Sequence, residues 1–122
     1  VQYDFRFKIK PQVKERPRFG RGHAYTSSKT RAFENEIVCL AKRQWVNKPP
    51  LDKPLSCVIT FYLERPKTTK LLAPKPDVDN YCKALLDSLN EVLFKDDSQI
   101  VELYAKKAWA EESLILLSLI EI

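Results

Sequence analysis

Eight prolines divide the 122-residue chain, and none of them falls inside a stretch with apolar periodicity. Proline has a locked φ and no backbone N–H, so helix interiors and central strands exclude it. The stretches between the prolines are therefore the units that can fold. Tyr3, Phe5, Phe7 and Ile9 alternate with Asp4, Arg6 and Lys8, the period of a half-buried strand. Residues 11–28 hold both glycines, Gly20 and Gly22, and show no periodicity, which predicts a long basic loop of the kind that is functional or disordered in compact domains. Ser27 or Ser28 can cap a helix carrying Phe33, Ile37, Leu40 and Ala41 on one stripe, closed by Trp45 before Asn47-Lys48-Pro49-Pro50.

Leu55, Cys57, Ile59, Phe61 and Leu63 alternate again, and this second strand stops at Arg65-Pro66. A proline-rich basic loop runs through Pro76. Asp77 is placed to cap a second helix whose buried stripe is Val78, Cys82, Leu85, Leu86 and Leu89, with Asp79, Lys83 and Asp87 toward the opposite face. Val92 to Phe94 lead through Asp96-Asp97 into a strand near Ile100 to Trp109. Glu111-Glu112 separate it from a last strand, Leu114 to Ile122, and the short link predicts an antiparallel hairpin. The order β-α-β-α-β-β implies one α+β domain over residues 1–122, a mixed sheet with two helices packed against it.

Apolar residues make up 44% of the chain, enough for a core, but no uninterrupted apolar run reaches the roughly 18 residues of a membrane span. No charged-then-apolar leader opens the sequence, and Cys39, Cys57 and Cys82 are odd in number and widely spaced, which fits a reducing, cytoplasmic setting. All three cysteines fall on the expected buried faces. The net charge is +5, and its placement is local: residues 10–31 carry seven bases against Glu15, so the rest of the chain sums to −1. Arg65, Lys67, Lys70 and Lys75 form a smaller cluster. Concentrated positive charge of this kind is the footprint of nucleic-acid binding.

Two acidic pairs, Asp77/Asp79 and Asp96-Asp97, stand around the second helix. Carboxylates this dense repel one another unless a cation lies between them, and such hard oxygen donors suit Mg²⁺ better than zinc or copper. Beside basic surface, they point to a polyanionic substrate and chemistry at phosphate. Each also has an ordinary structural explanation. Asp77 is favoured at a helix start by the dipole, Asp79 and Lys83 can form an i,i+4 ion pair, and Asp96-Asp97 can be turn residues.

Read in order, Lys75-Pro76-Asp77-Val78-Asp79-Asn80, Lys83, Leu86-Asp87-Ser88-Leu89-Asn90 and Lys95-Asp96-Asp97-Ser98-Gln99 closely resemble the RusA family of Holliday junction resolvases. Arg16-Pro17-Arg18-Phe19 and Ala24-Tyr25-Thr26 look like that family's basic N-terminal loop. The resemblance implies a homodimeric, Mg²⁺-dependent endonuclease, with Mn²⁺ as a substitute, that nicks two strands of a four-way DNA junction symmetrically. It implies Asp77, Asp79 and Asp97 as metal ligands, Lys83 as the essential lysine, and Asp96 as a neighbour outside the ligand set.

On the residues themselves, Lys83 can stabilise charge on the pentavalent phosphate or help orient a water. Lys14, Arg16, Arg18, Arg21, Lys29, Arg31 and Lys75 are the expected phosphate contacts, or else a solvated cationic loop. Phe19 and Tyr25 can stack on bases or anchor the loop to the core. His23 has no partner at ligand or triad spacing. No P-loop or Rossmann glycine pattern is present, which argues against a nucleotide cofactor. The rival readings are a Mg²⁺ phosphodiesterase acting on flaps or forks, and a non-catalytic DNA-binding module.

Overall fold

A computed structural model describes residues 1–15 and 18–122, with the backbone alone at Arg18. The elements are β1 (Gln2–Phe7), β2 (Arg18–Gly20), β3 (His23–Tyr25), α1 (Ser28–Gln44), β4 (Leu55–Glu64), α2 (Val78–Leu89), a 3-10 turn (Asp97–Gln99), β5 (Ile100–Ala110) and β6 (Leu114–Glu121). Four strands form a mixed sheet in the order β1-β6-β4-β5, and β2 pairs with β3 apart from it. The domain is α+β, as the periodicities imply.

The alternating strands bury one face each. Phe5 and Phe7 of β1, Leu55 through Leu63 at every second position of β4, and Ile115, Leu117 and Leu119 of β6 pack with Phe33, Ile37 and Ala41 of α1 and with Leu85 and Leu89 of α2 in a single core. Ser27 caps α1, accepting the Thr30 N–H at 3.2 Å, and Trp45 ends it. Cys57 and Cys82 are buried, but Cys39 is exposed, contrary to expectation. It lies two residues past Ile37, about 200° round a helix whose buried stripe runs Phe33, Ile37, Ala41.

The expected hairpin between the last two strands does not form. β5 runs parallel to β4 on one side, and β6 runs antiparallel to β4 on the other. Glu111, Glu112 and Ser113 cross the end of β4, where Ser113 Oγ accepts the Glu64 N–H at 3.0 Å and the Ala110 carbonyl accepts the Arg65 N–H at 3.0 Å. Two strand spacings, about 10 Å, are within reach of three extended residues. β4, whose apolar face is fully buried, takes the central place, and the lysine-bearing β5 takes an edge.

The stretch expected to be a loop holds a small hairpin instead. Arg18, Phe19 and Gly20 pair with Tyr25, Ala24 and His23. Arg21 and Gly22 have φ of 53° and 78°, the double positive φ that tight two-residue turns require. The Tyr25 ring lies over Gly20, where an added Cβ would sit 3.1 Å from the ring.

Candidate active site

α2 positions the motif residues. Its start is held beside the far end of β5, because Lys107 Nζ donates to the Pro76 carbonyl at 2.6 Å. Its end, at Asn90, is followed by Glu91 with φ 66°, which reverses the chain toward the start of β5. Asp77 occupies the cap position, and its backbone carbonyl takes the first helical N–H groups, but its carboxylate makes no capping hydrogen bond. That side chain is exposed, and so is Asp79.

Lys83 does not pair with Asp79. It turns one helical turn the other way, to Asp87, at 3.3 Å. The same Asp87 oxygen accepts from Lys14 Nζ at 2.7 Å. Partial burial would raise the Asp87 carboxyl, but Lys14 and then Lys83 outweigh it and hold the group below its ordinary value. Lys14 is raised in turn, chiefly by its hydrogen bond to Asp87. Lys14, an expected phosphate contact, is thus committed to α2, and it ties the root of the basic hairpin to the helix that carries the acids. Glu15 completes the root: its N–H donates to Thr30 Oγ1 at 3.2 Å and its carboxylate accepts from Ser27 Oγ at 2.6 Å.

The two aspartates beyond α2 do different work. Asp96 caps the 3-10 turn, accepting the Ser98 N–H at 3.0 Å, while its own N–H donates to Gln99 Oε1 at 2.9 Å. That hydrogen bond lowers its carboxyl. Asp97 is half-buried, and its N–H donates to Asn90 Oδ1 at 2.9 Å. Gln99 fastens the turn to the preceding loop through the carbonyls of Leu51 and Lys53. Asp87 and Asn90 stand in the motif order, but only the fold reveals what they hold.

The expected acidic triad is not gathered within one chain. α2 has 12 residues, which sets about 18 Å of helix between its ends. Asp77 and Asp79 stand at one end, and Asp97 is tied to the residue that closes the other. Among the described residues no three carboxylate, histidine or cysteine groups are placed to share a metal ion. The donors have the right chemistry for a hard cation, but one protomer alone does not bring them to it.

Arg21, Lys29, Arg31 and Lys75 are exposed, as phosphate contacts must be. Arg16 lies outside the described residues, as does the side chain of Arg18. Phe19 is 81% exposed on the hairpin, so it does not anchor that segment to the core, while Tyr25 is partly covered by its packing on Gly20. The cysteines offer no nucleophile in the core. Burial, and secondarily Cys82, pushes the Cys57 thiol up to about 12, and burial, and then Asp79, pushes Cys82 up to about 11. Among the described residues no helix is long and apolar enough to cross a membrane.

Free carboxylates and a lysine on one helix, joined by an ion pair to a cationic hairpin with a bare aromatic ring, are the equipment of a protein that works on a nucleic-acid backbone. The chain belongs to the RusA family: the family model described as endodeoxyribonuclease RusA matches residues 8–119. It is also 32% identical to the uncharacterized protein YqaN of Bacillus subtilis (strain 168), across 92% of this chain and 91% of that one. It is therefore an endodeoxyribonuclease, a hydrolase of DNA phosphodiester bonds from a family of Holliday junction resolvases that serve recombination and repair. Resolvases of this family generally depend on a divalent metal.

Proposed function

We propose that the protein is a Mg²⁺-dependent resolvase that acts as a homodimer and makes paired nicks in a four-way junction. The observation that carries this reading is the separation of its unengaged carboxylates to the two ends of α2. Two copies related by a two-fold axis can bring Asp77 and Asp79 of one subunit to Asp97 of the partner subunit, twice. That supplies two identical sites on symmetry-related strands, which is what paired nicking needs. Mg²⁺ held by such a carboxylate set would polarise a phosphate oxygen and activate water.

The chain's own residues supply the rest. Lys83 lies on the exposed face of α2 one turn beyond Asp79, where its charge can offset that developing on the attacked phosphate. Arg21, Lys29 and Arg31 hold the DNA backbone. Asp96 keeps the turn that presents Asp97 in shape through its cap and is not itself a ligand. No nucleotide takes part.

Subunit mixing tests the reading. Asp79→Asn and Asp97→Asn should each lose Mg²⁺-dependent nicking while binding a junction. An equimolar mixture, re-equilibrated through the monomer, should regain single nicks, because half of its mixed dimers' sites carry neither change. A mixture as inactive as its components would show that each site is built within one chain, and unchanged cleavage in both single variants would falsify the assignment of these acids.

A further inference from the structure

We propose that the outer edge of β5 is the seam of the dimer, joined by antiparallel pairing with β5 of a second copy. The proposal rests on the shared-site reading above. The sheet has two edges, and they are finished differently. β1 is six residues long, and its edge is covered where the Gln44 side chain accepts the Arg6 N–H at 3.0 Å and donates to the Arg6 carbonyl at 2.8 Å.

β5 is 11 residues long, with no proline, and its pairing with β4 is in register from Glu102 onward. Among the described residues, no backbone hydrogen bond reaches its outer edge. A long edge left open in this way is a template for another strand. It is also apolar where it is bare: Val101 is 62%, Leu103 46% and Tyr104 60% exposed.

The position of the acids selects the partner and the direction. Asp97 directly precedes β5, while Asp77 is held near its far half through the contact of Lys107 with Pro76. Only antiparallel pairing sets the start of one β5 against the end of the other and closes on a two-fold axis. An axis at Glu102 brings Asp97 of the partner subunit level with Lys107.

That same register sets Val101 against Leu103 of the partner subunit, and Ile100 against Tyr104 of the partner subunit. The register required by the carboxylates thus pairs the exposed apolar side chains with one another, an agreement neither observation imposes on the other. Glu102 meets its own copy at the axis, near the solvent-facing side, where water screens the repulsion.

The test uses the full chain. Wild type should sediment as a dimer, and Val101→Lys combined with Leu103→Lys should sediment as a monomer with unchanged far-ultraviolet circular dichroism and no junction cleavage. A lysine variant that stays dimeric overturns the seam. Subunit mixing of Asp79→Asn and Asp97→Asn would then still report whether the site is shared, so the two ideas fail separately. Should the lysines unfold the chain, Val101→Cys with Leu103→Cys in a Cys39→Ser background decides. Oxidation should yield a covalent dimer that still cleaves junctions. Failure to cross-link, or a cross-linked dimer without cleavage, overturns the proposal.

Discussion

Asp87→Asn should destabilise the protein by about 1–2 kcal/mol at neutral pH, because one partly buried carboxylate, 18% exposed at its side chain, serves two lysines. The contact with Lys14 carries most of this. It is short, at 2.7 Å, and links segments 73 residues apart, whereas the Lys83 contact is long and its lysine mostly exposed, worth about 0.3–0.5 kcal/mol as an i,i+4 pair. Asparagine keeps the shape and one acceptor, so packing is not at issue.

Unfolding entropy of about 2.1 cal/mol/K per residue makes 1 kcal/mol worth about 4 °C in a chain of this length, so Tm should fall by about 4–8 °C by calorimetry. The pH dependence follows from the direction of each shift. The Asp87 carboxyl is lowered in the folded state, so its contribution is present above its ordinary value of 3.8 and is lost as pH falls through the folded value. Lys14 is raised, so its share is full below 10.5 and is lost only at higher pH. The gap between wild type and Asp87→Asn should therefore be flat across neutral pH and close in acid. A gap that persists undiminished in the most acid buffer where both proteins fold would refute the ion-pair account and point to packing.

Three further outcomes are expected. Arg21→Ala with Lys29→Ala should weaken junction binding and make the slope of log K against log salt shallower by about 1.8, as two lost phosphate contacts require, and an unaltered slope would mean that the hairpin region is merely solvated. Phe19→Ala should cost about 1–3 kcal/mol of junction affinity with the salt slope unchanged, if the exposed ring stacks on a base, and should leave Tm untouched. Cleavage at matched salt should favour a mobile four-way junction over flap, fork and linear duplex, and equal rates on flaps would transfer the substrate assignment to the rival phosphodiesterase reading.

Local pattern carried a long way here. Alternation at Leu55–Leu63 and the stripe Phe33, Ile37, Ala41 identify strand and helix because each depends only on which residues share a face. Ser27 identifies the start of α1 because a cap is made within three residues. The errors have a common cause. A three-residue link between β5 and β6 reads as a hairpin until β4 claims the place between them, and Arg21-Gly22 forms its turn within a segment that has no apolar periodicity. Cys39 reads as core only if the stripe is drawn one residue too wide.

The order of acids and lysine along the chain was enough, by itself, to identify the family and the chemistry it serves, because the identity of metal- and phosphate-binding groups is a matter of residue type. Where those groups stand was decided by tertiary structure alone. A lysine on α2 can turn to either neighbouring carboxylate, and burial beside Lys14 sends Lys83 to Asp87. Asp77 and Asp97 are 20 residues apart in sequence, but a rigid helix lies between them, so their distance is set by its length and by the strands that anchor its two ends.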